Sequence, residues 1–135
     1  AKQRASGGGD FPEAVDAALA DAITNHEWSQ SARARLMFLI LDAPPHKSKA
    51  SLEKMRRSVR AAAAAGVRII PIASSGIDKS TEFLLRSVAA STGGSYLFLT
   101  DHSGIGNSHL KPTIGPHEVK LLNKLLIEVI RRHVN

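Results

Sequence analysis

The chain has no cysteine, few aromatic residues and no long apolar run. Without cysteine, disulfides and thiolate metal sites are excluded, and the redox compartment is left open. Aromatic residues make up 4% of the 135 residues, which is too few to predict stacking platforms for nucleic-acid bases. No run approaches the roughly 20 apolar residues that a transmembrane helix needs, so no membrane span is predicted.

The composition favours one compact domain with a basic surface. Hydrophobic residues make up 43% of the chain, the net charge is +6 and the sequence pI is about 10.1. A basic balance invites a nucleic-acid partner, but the positive residues are spread over several elements, which favours solvated faces instead. We therefore do not expect nucleic-acid binding, and it is kept as an alternative function. The positively charged residues spread over several elements are Arg33, Arg35, Arg56, Arg57, Arg60, Arg68, Arg131 and Arg132.

Helix and strand patterns alternate along the chain. The first helix is predicted at 10–23, with Asp10 as N-cap, Pro12 in the first turn and Glu13 at the spacing of a capping box. A strand at 35–41 is continuously apolar, which predicts cover on both faces. The pattern then predicts a helix at 51–65 closed by Gly66, a strand at 67–73 and a helix at 80–91 with Phe83, Leu84 and Val88 inward. A strand at 95–99 and a polar loop at 100–115 follow. The last predicted helix starts at Pro116 and buries Val119, Leu122, Leu126, Val129 and Ile130.

This order predicts an α/β fold of the Rossmann-like, doubly wound type. Its sheet is mainly parallel, has three recognisable strands and carries helices on both faces. Ligands of such sheets bind beyond the carboxyl ends of the strands. Those ends carry Asp42, Ser74 and Asp101, and the glycine-rich segment before the first helix is expected at the same edge.

Two segments together resemble the von Willebrand factor A family. They are Gly-Gly-Gly-Asp-Phe-Pro-Glu at 7–13 and Leu-Ile-Leu-Asp-Ala-Pro-Pro-His at 39–46. The first is similar to the Asp-x-Pro-Glu loop of bacterial members and of the integrin β I-like branch. The segments at 66–73 and 91–96 also stand where the family places its fifth and sixth strands. The family's Asp-x-Ser-x-Ser signature would precede Gly7, so the resemblance implies that 1–135 is the C-terminal portion of one such domain, without its first strand.

The resemblance implies a non-catalytic protein-interaction or adhesion module with a metal-ion-dependent adhesion site. Such a site holds Mg²⁺, or Ca²⁺ or Mn²⁺, and an acidic side chain of a partner protein completes the coordination. By position, Glu13 would be the adhesion-site carboxylate, Asp10 and the Pro12 carbonyl would lie at an adjacent cation, and Asp42 would bind or support the metal. Ser74 and Asp101 are further candidates at the same edge. The resemblance favours an extracytoplasmic location, at the cell surface or in the periplasm, while the sequence itself leaves the compartment open.

Simpler interpretations compete with the metal site. Asp10 and Glu13 suit a helix cap, and Asp42 suits an Asx turn. His46, His102, His109 and His117 lack the short spacing of zinc ligands and are interpreted as loop residues. An enzyme using Asp42, Ser74 and His102 is a further alternative, although the Gly-x-Ser-x-Gly turn of hydrolases is absent.

The strand at 35–41 also predicts self-association. Its composition is that of a central strand, yet nothing upstream in the sequence reads as a partner for its second edge. An open apolar edge pairs readily with another chain. We therefore expect this edge to pair or swap with a second copy, or to pair with the part of its own domain that precedes residue 1.

Overall fold

Three parallel strands form a single sheet in the order β1-β2-β3, which confirms the predicted α/β class. The structure is a computed structural model that describes residues 11–74, 77–99 and 122–134. No helix within these ranges is long and apolar enough to cross a membrane. The predicted loop at 100–115 and the predicted helix start at Pro116, with Val119, lie outside the described residues. The elements are α1 (Val15–Thr24), β1 (Arg35–Leu41), α2 (Lys49–Ala64), β2 (Val67–Ala73), α3 (Lys79–Ser91), β3 (Leu97–Phe98) and α4 (Leu122–Val134).

β1 and β2 begin and end where the sequence pattern predicts. They pair in parallel over their full length, from Arg35 opposite Val67 to Leu41 opposite Ala73. β3 is shorter than the predicted strand at 95–99, because only Leu97 and Phe98 pair with β2. The parallel register brings the carboxyl ends of β1 and β2 to one place, which we call the carboxyl edge.

The main core lies between the sheet and the first three helices. Val67, Ile69 and Ala73 of β2 share a buried cluster with side chains from α1, α2 and α3. Side chains of a strand alternate between its faces, so Arg68 lies on the opposite face. There its Nη1 is 2.9 Å from Nδ1 of His133, which places α4 on that second face. Burial, reinforced by the charges of Arg68 and Arg132, lowers the pKa of His133.

The central strand β2 tolerates Pro71 because the N–H that proline lacks would point toward β3, where no described residue pairs at this position. The amide of Leu99 donates to Ala73 O at 2.8 Å, and the amide of Ser74 donates to Leu41 O at 2.8 Å. Alternate backbone groups of β2 therefore face β3 and β1, and position 71 faces the β3 side. The pairing with β3 begins only at Ile72, so the proline lies where that ladder starts.

α1 begins five residues later than the sequence predicts. Its N-cap is Ala14, without a side-chain cap, so the predicted Asp10 cap, the Pro12 first turn and the Glu13 capping box are wrong. Asp10 itself lies outside the described residues. The physical reason is long-range, because Glu13 forms a parallel bridge with Pro45 instead of continuing the helix.

Several side chains predicted to be buried are exposed. Phe83 is 74% exposed, because α3 packs through Thr81, Leu85 and Val88. Ile40 is 59% exposed, so the predicted cover on both faces of β1 does not reach Ile40, whereas Leu36 and Phe38 on the same face are half-buried. On α4, Val129 is buried as predicted, whereas Ile130 is 40% exposed.

Candidate functional site

The segment before α1 is attached to the carboxyl edge through the backbone of Glu13. Its amide donates to Pro44 O at 2.8 Å, and its carbonyl accepts from the His46 amide at 3.2 Å. These bonds hold Glu13 against the loop that follows β1, where Ala43, Pro44 and Pro45 are buried. The backbone is therefore fixed at this point, while the Glu13 side chain is exposed. Pro12, directly before it, is half-buried.

Asp42 and Ser74 lie side by side at the ends of β1 and β2. The Ser74 amide donates to Leu41 O at 2.8 Å, which continues the strand pairing by one residue. Asp42 is exposed at the start of the loop that holds Glu13. Among the described residues its carboxylate has neither an ion pair nor a hydrogen bond, so the Asx turn considered for it is not formed there. Three predicted positions, Glu13, Asp42 and Ser74, are thus brought to one edge.

The oxygens at this edge have the right chemistry for a hard divalent cation. Mg²⁺ and Ca²⁺ take carboxylate, carbonyl and water oxygens, and Mg²⁺ retains several waters. Within the described ranges, however, no group of three or more His, Cys, Asp or Glu side chains is assembled. Glu13 and Asp42 supply two carboxylates, and the predicted Asp10 and Asp101 lie outside the described residues. The described residues of this edge can therefore supply some of the ligands of a cation, but they do not surround it.

Lys47 connects two loops at this edge, and the sequence pattern does not predict this contact. Lys47 follows the loop that holds Glu13, and its Nζ lies 2.6 Å from Oδ2 of Asp78 and 2.7 Å from Oγ of Ser80. Asp78 is the N-cap of α3 and accepts from the Thr81 amide at 2.7 Å. The Lys47 ammonium holds the pKa of the Asp78 carboxyl well below its usual range. An aspartate at the start of a helix pattern is a recognisable cap signal, but the distant lysine that contacts it is not.

A second polar cluster lies between α3 and β3. Arg86 donates to Oε1 of Glu82 from Nε at 3.0 Å and from Nη2 at 2.7 Å, and its guanidinium stands 4.4 Å from the centre of the Tyr96 ring. Burial, together with the nearby Glu82 charge, raises the pKa of Tyr96 to about 12. The phenol therefore stays neutral at physiological pH and packs as part of the core.

Many of the basic residues have structural partners. Arg35 donates to Ser29 O at 2.6 Å, to Gln30 O at 3.0 Å and to Ala65 O at 3.2 Å, so it closes the end of α2. Lys54 approaches Asp16 of α1 at 3.8 Å. Lys47, Arg68 and Arg86 are held by the contacts described above. The exposed cations without such contacts are therefore fewer than the composition suggests.

The protein is thus an α/β protein with a short parallel sheet. At the carboxyl edge of that sheet, two neighbouring segments carry the carboxylates of Glu13 and Asp42. Comparisons of the chain with protein-family models, with curated proteins and with solved structures find no match. The von Willebrand factor A resemblance thus stays a prediction from the residues that carry it.

Proposed function

We propose that this chain belongs to a non-catalytic protein-interaction module that uses a divalent cation at the carboxyl edge. Glu13 and Asp42 would supply carboxylate oxygens, with Asp10 and the Pro12 carbonyl at an adjacent position. Ser74 and Asp101 are the further candidate ligands. The cation would be Mg²⁺, with Ca²⁺ and Mn²⁺ as related occupants.

The observation that carries the proposal is the backbone attachment of Glu13 to the loop after β1. Two hydrogen bonds and a parallel bridge fix Glu13 beside Pro44 and Pro45, two to three residues from Asp42. A helix cap would have explained Glu13 without a ligand, but α1 begins at Val15. Neither carboxylate has a hydrogen bond or an ion pair with another described residue, and both are exposed. Two exposed acids at one edge of the sheet repel each other, and a bound cation relieves that repulsion.

The bound cation would supply a positive charge with exchangeable water ligands. An acidic side chain on a partner protein can displace such a water and be held by the ion. The protein's own residues orient the ion and keep it at the surface, where a partner can reach it. This arrangement needs no nucleophile or proton transfer, which is why the proposed module is non-catalytic.

Isothermal titration of the protein with MgCl₂, MnCl₂ and CaCl₂ tests the site. We expect saturable binding of at least one cation, and at least tenfold weaker binding after Glu13→Gln combined with Asp42→Asn. The matched control is Asp21→Asn combined with Glu27→Gln, which removes the same charge from exposed positions away from this edge. The control should bind as the unmodified protein does.

Two results would defeat the proposal. One is the absence of saturable binding for all three cations. The other is equal weakening by both double variants, because non-specific attraction by net charge would then account for the binding. A pull-down with an acidic peptide, performed with and without EDTA, separates cation binding from partner capture.

A further inference from the structure

The outer surface of α2 carries a concentrated positive charge, which revises the expectation that the basic residues are only scattered solvated faces. Four cations lie on it: Lys49, Arg56, Arg57 and Arg60. With 3.6 residues per turn, Lys49, Arg56 and Arg60 fall within about 40° of one another, and Arg57 flanks them at the next position around the helix. All four are exposed. We call these residues the α2 basic stripe.

The stripe is neutralised very little by the rest of the described chain. Among the described residues, its only acidic neighbour on that face is Glu53, whose Oε2 lies 3.4 Å from Nη1 of Arg56. Such an exposed pair contributes little, so it competes weakly with an external anion. In the described ranges, Lys49, Arg57 and Arg60 have no carboxylate or carbonyl partner. This differs from Arg35, Lys47, Lys54 and Arg86, each of which is held by a contact within the fold.

The side chains around the stripe limit what can bind there. The neighbouring exposed residues include Ala61, Ala63 and Ala64, whose short side chains let a large partner approach the helix closely. The only large hydrophobic residue exposed on α2 is Leu52, at 36%. A membrane-binding helix needs an apolar face to insert, and a protein interface usually needs apolar or aromatic anchors. α2 has no aromatic residue on which unpaired bases could stack.

We infer that the α2 basic stripe is a binding surface for the phosphate backbone of duplex nucleic acid, without sequence readout and without a metal. The stripe extends over about 17 Å of helix from Lys49 to Arg60. A duplex presents about one negative charge per 1.7 Å of its axis, so several phosphates lie within that length. Arginine is well suited to these contacts because its planar guanidinium matches two phosphate oxygens at once. This surface runs away from the carboxyl edge and does not depend on the proposed cation site.

Fluorescence anisotropy with a labelled random-sequence DNA duplex of about 20 base pairs, measured from 20 to 200 mM NaCl with EDTA present, tests the inference. Four phosphate contacts predict a slope of log K against log salt of about −3.6, which is a loss of roughly 100-fold between 50 and 200 mM. The variant Arg56→Gln/Arg57→Gln/Arg60→Gln should flatten the slope by about 2.7. Glutamine keeps the helix, which circular dichroism checks.

The matched control is Lys124→Gln/Arg131→Gln/Arg132→Gln, which removes the same charge from exposed positions on α4. It should leave the slope within about 1 of the original value. Equal loss in both variants overturns the inference, because net charge alone would then explain binding. Absence of binding at 20 mM salt also overturns it, as does tighter binding of a single strand or of polyglutamate than of the duplex.

Discussion

At the turn that follows α3, two residues fix the chain against the central strand. Thr92 Oγ1 accepts a hydrogen bond from the Ile69 amide at 2.9 Å. The pairing of β2 with β3 does not extend to Ile69, so the end of α3 satisfies this amide. At Gly94, a Cβ would stand 1.9 Å from Ile69 O, which is backbone and cannot rotate aside. The approach of this turn to β2 therefore requires glycine.

Gly94→Ala should be strongly destabilising. The added methyl group must push β2 and the turn apart, and we expect a loss of about 3 kcal/mol in the free energy of unfolding. Urea denaturation measures it. Gly66→Ala is the comparison, because Gly66 has φ +65 and its Cβ would meet only the Arg35 Nη1 at 3.2 Å. That change should cost about 1 kcal/mol. Equal losses for the two variants would contradict the close approach at Gly94.

Burial of α3 shows why single side chains are hard to predict from the pattern alone. The sequence favours Phe83, Leu84 and Val88 as the inner face because they are the large apolar residues. The structure buries Val88 and partly buries Leu84, as predicted, while Phe83 faces outward. It also buries Thr81, Leu85 and Thr92. Thr92 is inside because its hydroxyl serves the Ile69 amide. Nothing local in the sequence signals that long-range bond.

At the scale of elements, α3 begins with a cap that also connects two loops. Asp78 Oδ1 accepts from the Thr81 amide, while Oδ2 accepts from Lys47. The cap orders the first turn of α3, and the lysine links that turn to the loop that carries Asp42 and Pro45. Half of the Asp78 side chain is exposed, so solvent weakens the ion pair and the cap is the larger contribution.

Asp78→Ala should cost about 1 kcal/mol, whereas Asp78→Asn should retain most of the stability because its amide oxygen still caps the helix. The pKa of Asp78 lies below the ordinary 3.8. Its ionised form therefore contributes stability that is nearly complete above about pH 5 and is lost progressively as the pH falls below 3.8. Urea denaturation at pH 7 and at pH 3 measures both effects. A loss between these pH values as large in Asp78→Asn as in the unmodified protein would rule out this role.

Strand positions are more predictable than helix starts in this chain. Arg35–Leu41 and Val67–Ala73 are mainly apolar runs, each with one arginine, and both have the predicted bounds. The start of α1 depends on the bridge between Glu13 and Pro45, which lie 32 residues apart. Likewise, the sequence places Asp42 and Ser74 at the strand ends, but it contains no local signal for the Lys47 contact with Asp78.

At the scale of the whole molecule, β1 lies at one edge of the three-stranded sheet that the described residues form. Leu41 O accepts from Ser74, so the odd-numbered residues of β1 direct their backbone groups toward β2. The groups of Leu36, Phe38 and Ile40 point to the other side, where no described strand pairs with β1. Their side chains lie on the face opposite α1–α3, and Ile40 is largely exposed. Within the described residues, the strand thus combines an unpaired backbone edge with an apolar surface.

We expect β1 to mediate self-association. Sedimentation equilibrium at tens of micromolar protein should give a mass near twice the 14.4 kDa of the chain. Ile40→Lys should return the protein to a monomer, because a lysine on an edge strand opposes pairing with a second chain. Ile127→Lys is the control, since Ile127 is also exposed, at 47%, but lies on α4. A wild-type monomer across this range, or equal dissociation by both lysine variants, would mean that β1 is not the contact.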